Sequence, residues 1–77
     1  MYAHDLLVAI SISATTPKKI KALVASDTLR LICSEPILLT RDEESAIRGY
    51  LTSISSEEFV YSREVLVLSS FIRSCKK

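Results

Sequence analysis

Few residues in this chain are of the types that carry out chemistry, and their spacing does not assemble them. His4 is the single histidine, so neither a His-based nucleophile triad nor a multi-histidine metal site has a second member. It is expected at the surface. Cys33 and Cys75 lie far apart, with no C-x-x-C or His/Cys ligand pattern, and are expected to pack as small buried hydrophobes rather than as reactive thiols. Asp42, Glu43 and Glu44 cluster three carboxylates, but consecutive positions on a helix splay outward and do not converge as an acid/base pair. The chain's only glycine, Gly49, stands alone, so there is no Gly-rich phosphate loop. No catalytic residue, metal ligand or cofactor site is expected, and the chain is read as non-enzymatic.

Two sets of residues remain as contact candidates. Lys18, Lys19 and Lys21 crowd the first turn of an expected helix, where the positive end of the helix dipole repels cations. They form either an anion or nucleic-acid contact or an ordinary solvated face. Ser45, Gly49 and Ser53 recur every four residues and form a small-residue strip that would let another helix approach closely. A mid-helix glycine costs about 1 kcal/mol against alanine, which such close packing would justify.

The whole chain bounds what these residues belong to. At 77 residues it is expected to be a single domain spanning residues 1–77, and a domain of this size buries only ~60% of the surface its unfolded chain exposes. Yet 48% of its residues are hydrophobic, and its mean hydropathy is +0.27. The surplus apolar surface points to self-association or to a larger protein partner, because an interface removes such surface from water at about 25 cal/mol per Å² before the costs of association. Formal net charge is +1, far from the strong positive field of a dedicated nucleic-acid binder. The apolar runs from Leu6 to Ile12 and from Val65 to Ile72 fall short of the ~18–20 residues of a membrane span. The first of them lacks the preceding Lys or Arg of a signal peptide. With two cysteines and no disulfide framework, a reducing, cytoplasmic setting is expected.

The elements that must position these residues are marked by caps and breaks. Leu6 to Ile12 fits a buried strand or a short helix equally well. Thr15-Thr16-Pro17 punctuates the chain, with Thr16 as N-cap and Pro17 at the first helical position of a helix burying Ile20, Leu23 and Val24. Ser26-Asp27-Thr28 starts a further short element through Leu29, Leu31, Ile32 and Cys33, again helix or strand, and Ser34-Glu35-Pro36 ends it. Thr40-Arg41-Asp42-Glu43 is a capping-box signal, and from Arg41 to Ile54 the residues Ala46, Ile47, Tyr50, Leu51 and Ile54 form an apolar face at helical spacing. Ser55-Ser56-Glu57-Glu58 is a second signal of that type, and Ser62 is expected to cap a final helix to Cys75. Along it Tyr61, Val65, Leu68, Ile72 and Cys75 share one face, while Leu66, Val67 and Phe71 fall on others, which predicts burial on several sides.

These signals give an all-α expectation, a small bundle of four to five short helices ending in a helical hairpin. The alternative is an α/β arrangement, βαβαβ, with a three-stranded sheet built from residues 6–12, 29–33 and 65–68. A single glycine argues against the sheet, since its strand-to-helix turns need permissive residues. Glu43-Glu44-Ser45-Ala46, Gly49, Ser62-Arg63, Leu66 and Ile72 resemble the cadence of the small helical-hairpin AriR-type biofilm regulators, over less than half the chain. Pro17 to Leu38 resembles the opening of PIN-domain nucleases, but that family's metal-binding acids have no counterparts at the matching positions.

The functional expectation is a small regulatory or interaction protein that buries a helical surface against a second copy, as a homodimer or other homo-oligomer, or against a larger protein. Its interface residues are expected to be Ser45, Gly49, Ser53, Leu66, Val67 and Phe71. The alternative is a small helix-turn-helix DNA-binding regulator with Lys18, Lys19, Lys21, Arg41 and Arg48 on phosphates, less favoured because the net charge is near zero. No membrane and no small-molecule substrate is indicated.

Overall fold

The structure, a computed structural model, describes residues 1–54 and 60–75. The capping signal at Ser55-Ser56-Glu57-Glu58 lies outside the described residues. Among those described, the chain forms five helices and no sheet: α1 (Ala3–Ile12), α2 (Lys18–Val24), α3 (Asp27–Ile32), α4 (Arg41–Ser53) and α5 (Tyr61–Ser74). The all-α expectation holds, and the three proposed strands are helical.

The apolar run at the start becomes a helix because of which residues find the core. Ala3, Leu6, Leu7 and Ile10 are buried at i, i+3, i+4 and i+7 spacing, while Val8 and Ile12 point to water. A strand would have sent Leu6 and Leu7 to opposite faces. The short element after Ser26 is also a helix. The Ser26 hydroxyl accepts from the Leu29 N–H at 3.4 Å, Leu29 is buried, and Leu31 is left outside.

Two start signals are displaced. Thr16 does not cap α2. Residues 13–16 make a turn of their own, with the Thr16 N–H donating to the Ser13 carbonyl at 3.3 Å and the Ser13 and Thr15 hydroxyls paired at 3.0 Å. Pro17 is therefore the cap residue, and its carbonyl accepts from Ile20 and Lys21, both at 3.1 Å. Likewise Ser62 lies inside α5, whose cap position is Val60 with no side-chain bond. The Tyr61 hydroxyl donates to the Ala22 carbonyl at 3.2 Å, and with Tyr61 held against α2 the helix begins ahead of Ser62.

The α4 signal is realised in full. The Glu43 N–H donates to the Thr40 hydroxyl at 3.2 Å, and the Thr40 N–H donates to the Glu43 carboxylate at 2.8 Å. The chain reaches that cap through a stretch that alternates, with Ile37 and Leu39 buried and Leu38 exposed. This stretch lies beside the chain's start. Ala3 N–H donates to Ile37 O at 2.8 Å and Leu39 N–H to Met1 O at 2.9 Å, an isolated antiparallel bridge of Tyr2 with Leu38. The Met1 amino group also pairs with the Glu44 carboxylate at 3.1 Å.

One contiguous core unites these pieces, with Leu6, Leu23, Leu29, Ile47, Leu68 and Ile72 wholly buried. The closely packed helix pairs are α1 with α2, α3 with α5, and α2 with α5. Helix α4 reaches α5 through the Tyr50 hydroxyl, which donates to the Glu64 carboxylate. The Ser69 hydroxyl, buried on α5, has no partner among the described residues.

Candidate interaction surface

Helix α5 separates its apolar residues around its axis. Val65, Leu68, Ile72 and Cys75 enter the core, whereas Leu66 and Val67 are exposed and Phe71 is half-buried against the core edge. The expectation that this helix is buried on several sides is corrected. Within one chain it is buried on one side only. At about 100° per residue, Leu66 and Val67 stand on opposite flanks of the buried stripe. Val67 and Phe71 lie on the flank of Glu64, toward Tyr50 of α4, and Leu66 lies on the flank of α3.

On that second flank the structure creates a surface that periodicity alone did not single out. Leu31 of α3 is 74% exposed and Leu66 of α5 is 66% exposed, on two helices that pack directly together. A cleft of about 310 Å³ beside Leu31 is lined by Thr28, Ile32, Glu35, Ile37 and Arg73. A second, of about 400 Å³ beside Leu66, is lined by Thr28, Tyr61 and Val65 among others. Thr28 borders both, so the two clefts are neighbours, with Leu31 at one and Leu66 at the other. In the sequence Leu31 is indistinguishable from its apolar neighbours, because a six-residue element does not reveal which side is core.

The α4 strip occupies a different place. Ser45, Gly49 and Ser53 are all exposed, on the side of α4 opposite buried Ile47 and Leu51, and Ala46 is exposed beside them instead of completing the expected apolar face. A Cβ placed on Gly49 meets nothing within 4 Å among the described residues, so no close approach among them requires that glycine. The strip, the Leu66 face and the Val67–Phe71 flank are thus three separate surfaces. Lys18 and Lys19 are exposed and Lys21 is half-buried, fanning around the outer side of α2 rather than converging.

The chemically active residue types do not gather into one site among the described residues. Cys33 and Cys75 are free, buried thiols. Burial pushes Cys33 up from its ordinary value, and burial together with the hydrogen bond and charge of Glu43 pushes Cys75 up to about 11. A raised thiol holds its proton and is a poor nucleophile at neutral pH. The Tyr50 phenol is pushed up to about 12, by burial first and then by its bond to Glu64. His4 is exposed, in a shallow cleft with Arg30 and Cys33. Among the described residues no three His, Cys, Asp or Glu side chains gather as metal ligands. No helix among them is long and apolar enough to cross a membrane. Comparison of the chain with protein-family models, with curated proteins and with solved structures finds no match.

Proposed function

We propose that this protein is a small helical interaction protein whose working surface is the α3–α5 face, buried against a second copy of the chain. The observation that carries this is the pairing of Leu31 and Leu66, both largely in water on helices that touch. Single exposed leucines are ordinary on a protein surface, but here two border neighbouring clefts that share Thr28, on a pair of helices that pack together. The face has an aromatic at its edge, Tyr61, and a polar rim in Thr28, Ser62, Glu35 and Arg73, the composition of an interface core with its border.

The magnitude suits reversible association. Full burial of a leucine side chain is worth about 1.5–3 kcal/mol, so the exposed parts of Leu31 and Leu66 supply roughly 2–4 kcal/mol per chain and roughly 4–8 kcal/mol for a two-fold pair. Association costs of about 4 kcal/mol or more leave a weak dimer. Light scattering over a concentration series tests this. The mass should rise with concentration, and the double variant L31E/L66E should stay at one chain. A wild-type chain that stays monomeric and binds no hydrophobic dye removes the basis of the proposal.

A further inference from the structure

Where the α1–α2 connection meets α4, a cleft of about 340 Å³ lies apart from the α3–α5 face. Its floor is apolar. Ile10, Ile20 and Leu51 are core residues from three different helices, and each shows one edge to the cleft. Its rim is polar and cationic, with Thr16 on one side and Arg48 on the other, beside Thr52, whose hydroxyl donates to the Arg48 carbonyl at 2.9 Å. The Thr16 hydroxyl is not used as a helix cap, because Pro17 holds the cap position. Among the described residues no carboxylate forms an ion pair with the Arg48 guanidinium. Glu44, one turn earlier on α4, is engaged by the Met1 amino group. Arg48 is the one charged residue among the described residues lining the cleft, so the fixed charge on its wall is positive.

An apolar floor with a few convergent polar groups, at a volume near the low end of the ~300–1,000 Å³ of small-molecule sites, is the form of a ligand pocket. We propose that this cleft binds a small amphiphilic anion, its head group on the Arg48 guanidinium and its apolar body over Ile10, Ile20 and Leu51. A guanidinium presents paired N–H donors that match carboxylate and phosphate oxygens alike. The head group is therefore an anionic oxygen acid, carboxylate or phosphate monoester, and a purely inorganic anion leaves the floor uncovered.

The test is an amide NMR titration of the full chain with hexanoate, hexyl phosphate, hexanol and inorganic phosphate. Hexanoate or hexyl phosphate should give saturable shifts confined to residues 15–19 and 48–52, and whichever binds more tightly identifies the head group. Hexanol and inorganic phosphate each lack one half of the match and should bind roughly tenfold more weakly or less. Arg48→Gln, at an exposed position that leaves the amide spectrum intact elsewhere, should weaken the anion by roughly tenfold and leave hexanol unchanged. Shifts scattered over the surface, hexanol binding as well as hexanoate, or an R48Q variant that binds the anion as before would overturn the proposal. The wild-type contrast between hexanoate and hexanol decides the matter even if R48Q does not fold. L31E/L66E leaves this cleft untouched.

Discussion

Leu66 and Leu68 stand two positions apart on α5, roughly 160° around its axis, and the structure assigns them opposite work. Leu68 is 0% exposed and sits among the wholly buried side chains, while Leu66 is 66% exposed. Leu68→Ala removes buried methyl groups and leaves a cavity, at a cost of about 2–5 kcal/mol. At ~0.05–0.15 kcal/mol per residue, that is a large share of the whole stability of so short a chain. Leu66→Glu touches no core contact, so folding of the single chain should change by no more than about 0.5 kcal/mol. Association should respond the other way. Two-thirds of a leucine's burial is worth about 1–2 kcal/mol per copy, so a two-fold dimer loses roughly 2–4 kcal/mol, a roughly 30- to 1,000-fold rise in Kd before the cost of burying two carboxylates is added. Urea unfolding at a concentration low enough to keep the chain monomeric reads the first quantity, and sedimentation equilibrium reads the second. If L66E lowers the urea midpoint as far as L68A does, or leaves the association constant where it was, the division of α5 into a core side and an interface side is refuted.

Other residues make separate predictions. Thr40→Ala removes the hydroxyl half of the α4 capping box and should lower stability by about 1 kcal/mol in a urea titration. Gly49→Ala adds a Cβ into open space on a helix and should raise stability by up to about 1 kcal/mol without changing association; loss of association would return the Ser45–Gly49–Ser53 strip to the interface. Ser69→Ala removes a buried hydroxyl that has no partner among the described residues and should be neutral or stabilising by about 1 kcal/mol in thermal unfolding. Cys75, raised to about 11 from 9.0, should be alkylated at pH 8 roughly a hundredfold more slowly in the folded chain than in urea. Because its folded value lies above its unfolded one, the stability linked to its proton is fully present below about pH 9 and is lost as pH rises toward about 11. The Tyr50 phenol, raised to about 12 from 10.0, adds a second loss above pH 10, so stability above pH 10 should fall more steeply with pH in the wild type than in Tyr50→Phe.

What the chain showed as a sequence depended on how far apart the interacting groups lie. The α4 capping box was legible because Thr40 and Glu43 are close neighbours and bond each other. Ile47 and Leu51 followed from the same local period. The run from Leu6 to Ile12 was not legible, because an all-apolar stretch satisfies a period of 2 as well as one of 3.6. Only its packing against α2 decides between them. Nor was the antiparallel bridge of Tyr2 with Leu38, whose pairing is set by tertiary contact rather than by local pattern. The apolar surplus in the composition belongs to no particular helix, and the burial expected on several sides of α5 is realised on one, with Leu66 and Val67 left in water. That Leu31 joins Leu66 on one face follows only from the docking of α3 against α5.

The most direct test of the interaction surface is sedimentation equilibrium of the wild-type chain and of L31E/L66E over a wide concentration range. The wild-type mass should climb from one chain toward two, and the double variant should stay at one. A wild-type chain that keeps the mass of a monomer at every concentration, or a double variant that associates as strongly as the wild type, would contradict it.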